Sequence, residues 1–314
     1  MRTHDGIPVD LRRYIEDLVA RGESPSVEAI HHATIAGIHY VCAELLDAES
    51  RGASIEEIRQ LAEPARTLHA GSPFVRRLQT WPRGYPGDFE TIEYICDGQP
   101  KLPSGTIEHA IETHTLRDVS AQQHRNKVAW QAGLMLETVL ARNDARILSV
   151  ACGGARDLLG IQHMVAGRGA RFFLNDLEGD ALTLAQSRLD ALRPEVEYLH
   201  GDVFSAMRAM RKLAPLDLIV AGGLFDYLSD RQITWLLEKL WPLLRPGGRI
   251  CFTNLATGNP DRIWLRYIAN WEIIERSEED VRAFAASLTP APARVSVKRE
   301  MTGLTMLVEV CRTK

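Results

Sequence analysis

The sequence predicts an α/β protein whose largely parallel sheet, covered by helices, follows a helical N-terminal region, and three observations carry that prediction. Beyond residue 140, short apolar runs alternate with helical spacing, at residues 147–150, 172–176, 195–204, 216–223 and 250–255. The first of these runs passes into a glycine turn, Ala151-Cys152-Gly153-Gly154-Ala155-Arg156-Asp157, that opens a helix. By contrast, the first 118 or so residues have no strand pattern and much helical periodicity.

Within the N-terminal region, residues 10–20, 27–46 and 55–69 space their apolar positions as helices do, and Ser54 with Glu57 makes a capping box for the third. Ser72-Pro73 starts a short helix, the run Trp81 to Asp88 breaks it, and residues 89–95 resume helical spacing. Ser120 and Gln123 repeat the capping-box pattern at the head of a long helix reaching about residue 140. We therefore expect a helical domain at 1–118, acting as a lid, and a sheet domain at 119–314. Strand and helix alternate from there, which demands right-handed crossovers and parallel pairing. Pro246-Gly247-Gly248 turns the chain into the fifth strand, and residues 293–298 and 304–311, joined at Thr302-Gly303, read as an antiparallel hairpin at the sheet edge.

A chain of 314 residues buries a sizeable core, and its net charge of −4 with dispersed Lys and Arg offers no nucleic-acid footprint. There is no apolar run long enough to span a bilayer and no N-terminal signal pattern, so a cytoplasmic protein without membrane insertion is expected. The five cysteines, Cys42, Cys96, Cys152, Cys251 and Cys311, are odd in number and lack CxxC spacing, as reduced structural thiols do. His31-His32 and His39 fall on a helix without further ligands, so no metal is expected. The expected partner is a small-molecule substrate; the sequence specifies no protein partner.

The strand ends carry the chemistry. Ala151 and Gly153 stand where the backbone must approach a ligand, and Asp176, ending the second run ahead of Leu177, supplies two acceptors for a ribose diol. Asp202 and Val203 follow the third run, and Asp202 suits a helix cap. Ala221, Gly222 and Leu224 follow the fourth. In this order the motifs resemble the class I S-adenosylmethionine-dependent methyltransferases, over roughly residues 120–314. That resemblance implies a Rossmann-like sheet with S-adenosylmethionine at its carboxyl edge, and Asp202 and Val203 meeting the adenine amine and ring. Ser149 departs from the pattern, since an acid usually stands there, and Ala151 and Ala155 replace glycines.

Arg83 to Asp88, Gly223 to Leu228 and Asn270 to Arg276 are similar to the bacterial branch typified by 3-hydroxypalmitic acid methyl ester synthases, from about Phe74 to Phe284. The same layout belongs to azetidine-2-carboxylate synthases, which the chain resembles more. Members of that subgroup release methylthioadenosine by letting the ligand's own amine close a four-membered ring. The resemblance implies that S-adenosylmethionine is the substrate, that Asn270 is a neutral partner of the amine, and that Tyr85, Tyr227 or Trp271 shelters the sulfonium. Arg125, on the long helix, is the candidate for the ligand carboxylate. Asp88 and Asp226 are read as a helix cap and a turn brace. Two alternatives stay open: methyl transfer to a small-molecule or fatty-acid carboxylate, and a non-catalytic S-adenosylmethionine-binding module.

Overall fold

The computed structural model describes residues 10–20 and 26–313, and the chain divides into two compact units. One comprises the residues up to Gln122 with Pro260–Glu272, the other Gln123–Asn259 with Ile273–Lys314.

The helical unit contains α1 (Leu11–Ala20), α2 (Val27–Ser50), α3 (Ile55–His69), α4 (Pro73–Thr80), α5 (Phe89–Asp97) and α6 (Ile107–Arg117). Side chains cap the starts as the local sequence allows. Ser54 and Glu57 form the expected capping box on α3, Ser72 accepts from Val75 N ahead of Pro73, and Asp88 accepts from Thr91 N. Each such cap is worth about 1 kcal/mol. α1 and α2 meet closely at Gly37, where a Cβ would come within 2.7 Å of Leu11 Cδ1. α6 has no counterpart among the expected helices; its buried face includes Glu112, Thr113 and Thr115, so no clean apolar stripe marks it.

Pro260–Glu272 follows the fifth strand in sequence yet groups with the helices. It contains a π-helical turn, Trp264–Ile268. Its open carbonyls are claimed by helix side chains: Arg66 donates to Tyr267 O at 2.9 Å and Gln79 to Ile268 O at 2.9 Å. Arg262 and Tyr267 both bond Glu49, which holds that carboxyl at about 2.

The long helix α7 (Val119–Ala141) corrects one expectation. Ser120 already lies inside its first turn and does not cap it; its hydroxyl donates to Asp261 Oδ2 at 2.5 Å. Gln123 likewise accepts from the Thr305 hydroxyl at 2.7 Å. Distant partners engage both side chains.

The sheet unit continues with β1 (Arg146–Val150), α8 (Arg156–Leu159), α9 (Gln162–Val165), β2 (Arg171–Asp176), α10 (Gly179–Arg188), β3 (Val196–His200), α11 (Met207–Met210) and β4 (Leu216–Ala221). It ends with α12 (Asp230–Leu240), β5 (Leu244–Leu255), α13 (Glu278–Ala286), β6 (Arg294–Arg299) and β7 (Thr305–Cys311). The strands lie in the order β3-β2-β1-β4-β5-β7-β6, with β7 antiparallel to both neighbours and the other pairs parallel. Alternate residues of each apolar run feed opposite faces, as a doubly covered sheet requires. Leu148, Ile219 and Phe252 enter one core, and Ile147, Phe172, Leu218 and Val220 the other.

Two boundaries differ from expectation. β3 stops at His200, leaving Gly201 to Phe204 as a turn. β5 already starts at Leu244, so Pro246-Gly247-Gly248 lies within an irregular strand whose register against β4 shifts between Leu216 and Leu218. Gly248 is required there, because a Cβ would lie 3.0 Å from both Arg245 O and Leu216 O.

Candidate functional site

The strand order reverses between β1 and β4, and in open α/β sheets the crevice beyond the carboxyl ends at that point receives ligands. Ser149 pairs with Val220 at the end of that ladder, and the two strands lead on from there to Ala151 and Gly222.

The β1 side is a left-handed turn. Ala151, Gly153 and Ala155 hold φ of 51°, 55° and 53°, at the three places where the related pattern has glycine. An alanine in that conformation costs about 1–2 kcal/mol. The turn is tied to β2 by Cys152 N donating to Asn175 O at 2.9 Å and by Gly153 N donating to Asp176 Oδ2 at 2.7 Å. The other oxygen of Asp176 accepts from Glu178 N at 2.9 Å. Burial pushes the Asp176 carboxyl up while these N–H groups oppose it. A carboxylate has roughly four lone-pair sites, so Asp176 keeps acceptor capacity for a diol. Buried Asp157, at the start of α8, is pushed by desolvation to about 6.

At the β3 end, Asn175 Nδ2 donates to Leu199 O and Gly201 O at 2.9 and 2.8 Å, fixing the neighbouring turn. Asp202 Oδ1 accepts from Phe204 N and Ser205 N at 2.9 and 3.1 Å, the capping role available to it, and its bonds to Ser205 hold its carboxyl below the usual range. Val203 is buried in the core behind the turn, and Leu177 is exposed beside Asp176.

The β4 end is built otherwise. Gly222 admits Gln131 of α7, whose amide would lie 2.3 Å from a Cβ at that position. Gly223, at φ 93°, donates to Thr253 Oγ1 at 3.0 Å. Leu224 to Asp226 form a single 3₁₀ turn, braced as expected by Asp226 Oδ1, which accepts from Leu255 N at 2.6 Å. Tyr227 follows, on the exposed side. Buried Lys127 reaches Asp226 Oδ2 at 3.4 Å, and buried His124 is held neutral, well below its usual range, by desolvation and then by Lys127 and Arg125. Lys127, His124 and Gln131 were not foreseen as site residues. The signal for them is the polar run Gln122 to Lys127 inside a helix that has no apolar stripe.

All candidates for ligand binding, Arg125, Ala151, Gly153, Asp176, Leu177, Asp202, Val203, Ala221, Gly222 and Leu224, belong to the sheet unit, as does Tyr227. Tyr85 and Asn270 belong to the helical unit. Asn270 there has φ 57°, donates from Nδ2 to Gln79 O at 3.0 Å and accepts at its own carbonyl from Trp81 Nε1 at 3.0 Å. An asparagine suits that position because it tolerates the left-handed region while its amide pins the end of α4. Among the described residues no cluster of His, Cys, Asp and Glu is set to hold a metal ion, and no helix is long and apolar enough to cross a membrane.

The strand order, with its antiparallel β7 inserted between β5 and β6, is that of the class I methyltransferase fold. Residues 147–248 match the family model described as a methyltransferase domain. This stretch runs from β1 through the irregular start of β5 and contains the turns after β1, β2, β3 and β4, which implicates S-adenosylmethionine, the ligand expected from the sequence. No protein of curated function matches the sequence. Among solved structures, a possible exported protein from Bordetella parapertussis is 18% identical with a TM-score of 0.64, the alignment covering 93% of this chain and 100% of that one. A putative O-methyltransferase from Nostoc punctiforme is 11% identical, covering 96% and 94%, with a TM-score of 0.49. Magnesium protoporphyrin IX methyltransferase from Synechocystis, with bound SAH, is 12% identical, covering 62% and 88%, with a TM-score of 0.46.

Proposed function

We propose that this chain is an S-adenosylmethionine-using enzyme that closes the methionine portion of its ligand into azetidine-2-carboxylate and releases methylthioadenosine. Asp176 takes the ribose hydroxyls, Asp202 and Val203 border the adenine, and the methionine portion extends past Ala151 towards Ala221, Gly222 and Leu224. In the reaction the unprotonated amine attacks its own γ-carbon, the carbon–sulfur bond breaks with its electron pair passing to sulfur, and nitrogen loses a proton to solvent. The fold's contribution is to hold nitrogen, carbon and sulfur near alignment against ring strain.

The observation that carries this reading is the charge around the β4 turn. Ser149 stands where an acid would favour the ammonium form, and the acid of the β4 turn, Asp226, is already paired with the buried Lys127 of α7. Without an uncompensated acid beside it an amine is less strongly biased toward protonation, and a neutral amine is the nucleophile that cyclisation needs. Tyr227 offers an aromatic face to the sulfonium on the sheet side. A second reading, methyl transfer to a carboxylate acceptor, is favoured by the methyltransferase-domain match over residues 147–248.

Incubation of the purified protein with S-adenosylmethionine alone separates the two. Cyclisation yields equimolar methylthioadenosine and azetidine-2-carboxylate without any acceptor. Absence of turnover until an acceptor is added, followed by S-adenosylhomocysteine, would replace cyclisation with methyl transfer.

A further inference from the structure

Two buried cations flank the turn after β4, and they are satisfied to different degrees. Arg276, 3% exposed, donates to Phe225 O at 2.8 Å, Asn254 Oδ1 at 2.7 Å, Leu228 O at 2.6 Å and Asp230 Oδ1 at 2.9 Å. Its guanidinium is saturated and its work is to bind the turn to the end of β5. Lys127 is 4% exposed, yet among the described residues its ammonium has one acceptor, Asp226 Oδ2 at 3.4 Å. An ammonium carries three donors, and buried donors are ordinarily paired. Asp226 is itself shared, since its other oxygen serves Leu255 N.

The direction of Lys127 is fixed by the helix that carries it. Residues four apart share a helix face, so Lys127 and Gln131 lie one above the other, and both meet the β4 turn. Gln131 closes on Gly222, and Lys127 Nζ would lie 3.8 Å from a Cβ on Gly223. Arg125, two residues before Lys127, points to another side of α7. With ribose at β2 and adenine at β3, the amino-acid tail of the ligand runs to the β4 side, to the turn that Lys127 reaches.

On the reading of S-adenosylmethionine as the ligand, we infer that Lys127 binds the α-carboxylate of its methionine portion, and so makes the sheet edge selective for adenosyl ligands bearing an amino-acid tail. The carboxylate completes the ammonium's hydrogen bonds in a charge-assisted pair. The role expected of Arg125 thereby passes to Lys127. Asp226 is the positioning residue that holds the ammonium at the turn.

The test is calorimetric titration of the full chain with S-adenosylmethionine, S-adenosylhomocysteine and methylthioadenosine, which lacks the tail carboxylate. Lys127→Met should weaken the first two by about 10- to 100-fold and leave methylthioadenosine within about 2-fold of the parent. Because Lys127→Met leaves Asp226 buried without its cation, Lys127→Met/Asp226→Asn is measured beside it; the side-chain amide of that double variant keeps an acceptor oxygen for Leu255 N, and the same selective loss is expected. Equal losses for all three ligands, or none for S-adenosylmethionine, overturn the assignment. So does a variant that binds S-adenosylmethionine normally but needs more of a carboxylate acceptor, because the ammonium then serves that acceptor. A parent protein that binds none of the three overturns the ligand reading itself.

Discussion

The two turns that meet at the switch point are made of opposite materials. On the β1–β2 side, alanines and glycine in left-handed conformation are held by a carboxylate, Asp176, which spends one oxygen on each of two backbone N–H groups. On the β4 side, Gly222 makes room for Gln131 of α7, and the charges are an ammonium and the carboxylate that positions it. The first side presents acceptors, which suit a sugar diol; the second presents donors, which suit a carboxylate. An adenosyl amino acid is polarised in the same sense, and on the proposed reading the distribution of charge along the edge would orient it.

Removal of Asp176 is expected to have the largest effect. Asp176→Ala deletes the acceptors for the ribose and strands Gly153 N–H and Glu178 N–H, so binding should weaken by about 1.5–3 kcal/mol, or about 10- to 100-fold. Methylthioadenosine and S-adenosylmethionine should suffer alike, because both carry the ribose, whereas loss of Lys127 discriminates between them. Calorimetry on both variants thus tests the division of labour. Unchanged affinity in folded Asp176→Ala would remove the acid from the ligand and leave it as a brace between β1 and β2.

A second contrast concerns Asp157, the buried acid beside the β1 turn. Its carboxyl is shifted from 3.8 to about 6 by burial, against its hydrogen bond from Leu158 N. The folded state therefore binds this proton more tightly than the unfolded chain. Below about pH 4 both states are protonated and the group adds no pH dependence; between about 4 and 6 stability falls as pH rises, and above 6 the penalty is constant at about 2–3 kcal/mol. Asp157→Asn does not titrate. Urea midpoints should show the variant gaining on the parent by that amount as pH rises from 4 to 7, and a constant difference across the range would show that Asp157 is not held protonated.

The strands were legible because buried parallel strands read as continuous apolar runs, as Phe172 to Leu174 and Leu218 to Val220 do. Asp176 and the turn glycines were legible because strand ends carry fixed chemistry. What escaped depends on tertiary partners. Ser120 and Gln123 have the spacing of a cap, but Asp261 and Thr305 take them. Nothing local in Pro260–Glu272 announces that Arg66 and Gln79 bind its carbonyls. Lys127 reads as one more solvated helix lysine until the packing of α7 against the Gly222-Gly223 turn gives it a direction.

The smallest expected effect isolates the backbone strain that separates the two turns. Gly223, at φ 93°, accepts no side chain cheaply, and Gly223→Ala should destabilise the protein by about 1 kcal/mol or more. Ala151, at φ 51°, carries such strain already. Replacing it by glycine removes about 1–2 kcal/mol of left-handed strain and loses about 0.5–1 kcal/mol to the greater freedom of the unfolded chain. Ala151 is only half-buried, so little packing is lost and a net gain of about 0.5–1 kcal/mol is expected. Ala155→Gly is the matched control. It relieves the same strain at φ 53°, but Ala155 is 0% exposed within the core, and deleting its methyl forfeits about 0.8 kcal/mol. Its midpoint should stay near the parent's. If both glycine variants shift together in urea unfolding, methyl burial at Ala155 contributes nothing; if neither shifts, the alanines of the β1 turn carry no strain, and the two turns differ in charge alone.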